Sequence, residues 1–194
     1  MMSGLGLVFG IIVLGGIAAL LAVIFLYNKL VSLRQRVLEG WSGIDVQLKR
    51  RSNLVPNLIA AVKGYMAHEK GLLEDITKLR AQCVEADTGP KDRQAIEGEM
   101  STALIRLFAV AENYPDLKAD STFLELQQAL GELEDQIQMA RRYYNGTVRN
   151  LNILIESFPA NLLAQRFGFV AADYYEVEHA AERAVPQVDF KGGE

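Results

Sequence analysis

Residues 121–158 read STFLELQQALGELEDQIQMARRYYNGTVRNLNILIESF. Within them Phe123, Leu126, Leu130, Leu133, Ile137, Ala140, Tyr144, Val148, Leu151, Ile155 and Phe158 recur every three or four positions over about five heptads, which places them on one face of an α-helix. Ser121 offers a hydroxyl as N-cap and Pro159 stops the pattern, so the stretch predicts one helix of about 54 Å at 1.5 Å per residue. An apolar stripe of that length needs other helices to cover it.

The flanking segments supply them. Leu30, Leu33, Val37, Trp41, Ile44 and Leu48 form a first stripe, and Leu58, Val62, Tyr65, Leu72, Ile76, Leu79 and Cys83 a second. Pro56 lies between them, lacking an amide hydrogen and disfavouring helical geometry at Val55, so a kink or break is expected there. Thr88-Gly89-Pro90 reads as a loop. A third helix carries Ile96, Met100, Ala103, Leu104, Leu107 and Val110 and stops at Tyr114-Pro115-Asp116; a short one is expected near 162–167. No stretch alternates with period two over strand length. The expected body is therefore all-α, an antiparallel bundle of three to four long helices over 29–167. A C-terminal tail follows at 168–194, where Pro186 and Lys191-Gly192-Gly193-Glu194 read as loosely held.

Upstream, residues 1–28 contain no charged side chain, and Leu5 to Leu26 is almost wholly apolar. Crossing a hydrocarbon core of about 30 Å takes roughly 20 such residues, so 1–28 reads as a single transmembrane helix with Tyr27 at headgroup level. A cleaved signal peptide would have a basic start and a shorter core. Lys29, Arg34 and Arg36 follow the span while no basic side chain precedes it, which predicts an outside N-terminus and a body on the inner side. Gly6 and Gly10 form a Gly-x-x-x-Gly pair, and Gly15 and Ala19 repeat the four-residue spacing of small side chains. These four are the candidate self-association face of a homo-oligomer in the lipid bilayer.

Charge is divided along the chain. Residues 29–84 hold ten Lys and Arg against five Asp and Glu, net +5, and 85–194 hold ten against nineteen, net −9. Attraction of the basic half to anionic lipid is one reading; packing of the two halves on each other is the other, favoured because the basic residues are spread along a helix. An acidic pI of about 5.3 without a basic stripe argues against nucleic acid.

Reactive constellations are sparse. Cys83 is the single cysteine and reads as a small buried hydrophobe. His68-Glu69 lacks the second histidine of a metalloprotease helix, since Leu72 stands there, and Glu176-Val177-Glu178-His179 gives one Glu-x-x-His where a di-iron bundle needs two. No catalytic residue, cofactor or metal site is expected. Gly146, in Asn145-Gly146-Thr147, sits mid-helix at a cost of about 1 kcal/mol relative to Ala, which suggests close approach of another element. Asp45 with Lys49 and Glu74 with Lys78 are i, i+4 pairs in the favourable order. Arg141 and Arg142, beside Tyr143 and Tyr144, are the candidate anion or partner contact. The plainer reading is a solvated face with one arginine over a ring.

Several of these segments, in order along the chain, resemble the LemA family of bacterial membrane proteins. They are Tyr27-Asn28, Leu33-Arg34, Trp41, Ile44-Asp45-Val46-Gln47-Leu48-Lys49-Arg50-Arg51, Leu54-Val55-Pro56-Asn57-Leu58, Val62-Lys63-Gly64-Tyr65 and His68-Glu69. Further on come Glu112-Asn113-Tyr114-Pro115, Leu117-Lys118-Ala119, Phe123, Leu126-Gln127, Ala140-Arg141-Arg142-Tyr143-Tyr144-Asn145 and Phe158-Pro159. The resemblance implies one N-terminal transmembrane helix carrying a helical domain in the bacterial inner membrane, with no established enzymatic activity and a link to forming or shaping internal membranes. The expectation is a non-enzymatic, self-associating scaffold; the alternative is a tethered accessory or sensor that binds a ligand or partner through its bundle.

Overall fold

The periodic stripes become helices in the computed structural model, which describes residues 2–85 and 90–175. The helices are α1 (Met2–Val62), α2 (Lys70–Glu85), α3 (Pro90–Ala111), α4 (Pro115–Lys118), α5 (Ser121–Glu156) and α6 (Ala160–Phe167). Among the described residues there is no strand, and the fold is all-α with a candidate transmembrane helix at its N-terminal end. The apolar first part of α1 is long enough to cross a membrane and none of it is covered by the rest of the protein. Burial begins at Leu30.

Beyond that point α1 and α5 lie antiparallel. Gly40 meets Tyr144 and Arg51 meets Glu134, so residue numbers fall on one helix as they rise on the other. Leu30, Leu33, Val37, Ile44 and Leu48 of α1 pack with Leu133, Ile137, Tyr144, Val148 and Leu151 of α5 as one core. A second core joins Val55, Leu58 and Val62 to α2 through Leu72, Leu73 and Ile76, and to α3 through Met100, Leu104 and Leu107.

α1 does not break at Pro56. It continues to Val62, so Leu58 and Val62 end the first helix while Leu72, Ile76 and Cys83 begin anew on α2. A helical proline strands the carbonyl four residues earlier, here that of Ser52. Arg80 of α2 donates its Nε to this oxygen at 3.0 Å, so the neighbouring helix supplies the missing donor. The chain turns instead after Val62, whose carbonyl accepts from the amides of Tyr65 (3.0 Å) and Met66 (2.9 Å), while the fully buried Met66 plugs the turn.

Two smaller expectations are also corrected. The N-cap of α5 is Asp120, whose carboxylate accepts the Phe123 amide at 3.0 Å and is thereby held below its usual pKa; Ser121 is already helical. Close approach occurs at Gly40 and not at Gly146. A Cβ on Gly40 would lie 3.2 Å from the Tyr144 Cα, whereas one on Gly146 would meet nothing within 4 Å.

The Pro56–Arg80 compensation predicts non-additive substitutions. Arg80→Ala strands a partly buried carbonyl and should destabilise the detergent-solubilised protein by about 1–2 kcal/mol. In a Pro56→Ala background, where residue 56 regains its amide, the same change should cost under half as much. Chemical denaturation of the four-member cycle by circular dichroism measures the difference.

Candidate functional site

The seam between the two cores is polar. Arg51, 2% exposed, occupies the buried face of α1 between Leu48 and Val55. Its Nη1 donates to Ser101 Oγ at 2.6 Å and to Glu134 Oε2 at 2.9 Å. Its Nη2 donates to the Glu97 carbonyl at 3.2 Å and to the Glu97 carboxylate, which is 1% exposed. Arg93 reaches back to Asp45 at 2.6 Å, and Asp45 also meets Lys49 at 2.7 Å. Gln138 donates to the other Glu134 oxygen at 3.2 Å. The network thus ties α1, α3 and α5 together, and at this point the basic half of the chain pairs with the acidic half. Charges so placed hold a register: any slip would leave a buried guanidinium or carboxylate unpaired, which costs about 3–5 kcal/mol.

Arg51, Arg93 and Glu97 escaped the sequence reading as a buried cluster because only apolar residues were traced. The signal was there. Arg51 falls in step in Ile44, Leu48, Arg51, Val55, Leu58 and Val62, and Glu97 falls in step in Arg93, Glu97, Met100, Leu104 and Leu107. A charged residue on a buried stripe needs a partner across it.

Next to the network, a cleft of about 1150 Å³ opens among α2, α3 and α5. Arg51, Glu134, Arg141 and Tyr175 line it together with apolar Leu104, Phe108 and Leu130. Burial pushes the Cys83 thiol up to about 12, the nearby Glu97 carboxylate adding to the effect and Arg51 opposing it, so the thiol stays protonated and inert. Burial likewise raises the Tyr175 phenol, against the pull of Arg141.

Arg141 and Arg142 are not brought together. Arg141 is buried with its guanidinium 4.8 Å from the centre of the Tyr175 ring, while Arg142 is exposed on another face. The partner ring belongs to the segment assigned to the tail. After Gly168, whose φ of +72° suits glycine, the chain runs back along α5 as an extended strap through Tyr175. Asn152 exchanges two hydrogen bonds with the backbone of Ala172, both 2.9 Å, and Asn145 does the same with Tyr175, both 2.8 Å. The geometry matches: seven helical residues and three extended ones both span about 10 Å. Phe169 and Tyr175 are buried, so 169–175 belong to the packed body; Pro186, the 191–194 end and Glu176 to His179 lie outside the described residues.

In the span, Gly6 and Gly10 stand one turn apart and have open space around them, as has Gly15. At 3.6 residues per turn, Gly15 and Ala19 fall about half a turn away, so the four small residues form two opposite pairs instead of one face. Among the described residues no group of three His, Cys, Asp or Glu is placed to hold a metal.

Comparison with known proteins adds the following. Residues 40–190 match the LemA family. The chain is similar to the protein named Magnetosome protein MamQ 2 of Paramagnetospirillum magneticum, 28% identical over 198 residues that cover 89% of this chain and 73% of that protein. Magnetosome protein MamQ of Magnetospirillum gryphiswaldense is 25% identical over 209 residues, covering 94% and 77%. Protein LemA of Metamycoplasma hominis is 25% identical over 167 residues, covering 86% and 74%.

Arg51→Met should lower stability by about 3 kcal/mol, because the buried Glu97 carboxylate then has Arg93, at 3.6 Å, as its nearest remaining cation. Arg51→Met with Glu97→Met should recover most of the loss; urea denaturation of the two variants checks this. Asn145→Ala should free the end of the strap without unfolding the bundle. Hydrogen exchange at the Tyr175 amide should then rise well above that at Phe123.

Proposed function

The chain belongs to the LemA family, and from that premise we propose that it is a non-enzymatic scaffold anchored in the bacterial inner membrane, self-associating there to organise or remodel the bilayer. One observation carries the reading: α1 is a single helix of 61 residues, about 90 Å long, that serves as both the candidate span and the spine of the bundle. Gly64 is the first glycine beyond Gly43, and no loop separates the apolar part from the buried part. Contacts between bodies would therefore set the spacing and tilt of their spans. Two of the relatives described above carry the name of magnetosome proteins, and the basic flank of Lys29, Arg34 and Arg36 favours a body on the cytoplasmic side.

The second reading is a tethered accessory or sensor, favoured by the cleft that ends on Arg141 and Tyr175. Its ligand would be amphipathic, with an anionic end near the guanidinium and an apolar body along Leu104 and Leu130.

Mass measurement of the full chain in a mild detergent separates the two. A discrete oligomer is expected, weakened by Gly6→Leu with Gly10→Leu while the helical signal is unchanged. A monomer at all concentrations would remove the scaffold and leave the sensor. An unaltered oligomer in the double variant would assign assembly to the body.

A further inference from the structure

The end of the bundle nearest the span is apolar on its outside. Phe158 is 80% exposed, Leu162 59%, Phe167 54% and Val170 78%, four large side chains within thirteen residues around α6. Single exposed apolar residues are ordinary, but a cluster of this kind marks a surface that something covers.

The structure fixes the level of this cluster. Tyr27, at the end of the apolar span, packs edge-on against Phe167 with ring centroids 5.0 Å apart and against Phe169 at 5.9 Å. Arg34 lies over the Phe169 ring at 5.2 Å. At the other end of α6, the antiparallel register set by Gly40 with Tyr144 and by Arg51 with Glu134 carries Glu156 level with about Lys29. Both ends of α6 therefore sit at the height where the span meets its first charged residue. Ala160 and Ala164 are its buried face, while Leu162, Gln165 and Arg166 face outward and Phe167, half exposed, leans on Tyr27 of α1. The strap from Phe169 to Tyr175 then leads away from that level.

We infer that this α5–α6 corner is a second membrane contact. Phe158, Leu162, Phe167 and Val170 seat in the headgroup–acyl boundary of the leaflet from which α1 emerges, and Arg166 and Lys29 lie at the lipid phosphates. Aromatic and aliphatic side chains flanked by basic ones suit that boundary. Glu156 is the acidic group of the corner and is exposed on the bundle side of the turn. The occupant is a lipid surface because the cluster is continuous, through Tyr27, with the span itself. The inference rests on α1 crossing the bilayer.

The test uses the full chain in vesicles of brominated phosphatidylcholine with one-fifth phosphatidylglycerol. The only native tryptophan, Trp41, is kept as the common background. Three variants each add one tryptophan: Phe9→Trp in the span, Phe158→Trp at the corner and Ile105→Trp, an exposed site on α3 in the distal core region. The corner variant should be quenched at least threefold more than the α3 variant and nearly as much as the span variant. If the span variant is quenched and the corner variant matches α3, the corner inference fails while the anchor stands. If the span variant is not quenched, the membrane reading falls and takes the corner with it. A corner variant shielded from both brominated lipid and aqueous acrylamide, at high protein density only, would assign the cluster to a second copy and overturn the lipid contact.

Discussion

A guanidinium withdrawn from water must find acceptors, and Arg51 finds four, none of them on its own helix. Ser101 and both the carbonyl and the carboxylate of Glu97 come from α3, and Glu134 comes from α5. Apolar stripes alone allow neighbouring helices to slide by a turn at small cost, since one leucine replaces another. The seam at Arg51 removes that freedom, because a slip of one turn, about 5.4 Å, separates every pair at once. The two cores on either side of it, one built on α1 and α5 and the other on α1, α2 and α3 with Phe123 and Leu130 from the start of α5, are thereby held in one register.

Register matters here because α1 is shared. A span joined to its domain by a loop would leave the domain free to swing. In this chain the helix that leaves Leu7 and Ile12 uncovered along its candidate span also presents Ile44, Leu48 and Arg51 to the bundle. Gly40 lets the Tyr144 backbone come within contact distance, and the Trp41 ring packs against Tyr144 and Tyr175, so α5 and the strap close on α1 about one and a half helical turns inside the basic flank.

The sequence made the all-α fold legible wherever an element's boundaries depend on its own residues. The α5 stripe and its stop at Pro159 could be read because spacing and a proline act locally. Continuity of α1 could not, because the carbonyl stranded by Pro56 is satisfied by Arg80, far along the chain on another helix. The strap escaped for the same reason: it has no period of its own, and two asparagines seven residues apart on α5 hold it. Arg141 was legible as an arginine over a ring, although its ring is Tyr175 and not the adjacent Tyr143 or Tyr144. The seam was present as charged residues in step with buried stripes, and reading apolar positions alone passed over it.

A rigid body on one span can still tilt and rotate about that helix. A second contact at the bilayer, offset from the span by the thickness of the bundle, would remove both motions, and the corner built from Phe158 to Val170 is the one inferred above to make it. Two helices about 10 Å apart, fixed together by the Arg51 seam, would present lipid with a pair of supports instead of a pivot. Bodies oriented in this way would meet their neighbours along a defined face, so that even weak lateral contacts act at high effective concentration in the plane. A lattice of spans held at a common tilt biases the shape of the bilayer around it. The physical requirement for the scaffold proposed above is therefore stiffness from lipid to bundle, and in this chain an unbroken α1, a charge-locked seam and, on the lipid contact inferred above, an apolar corner would each supply part of it.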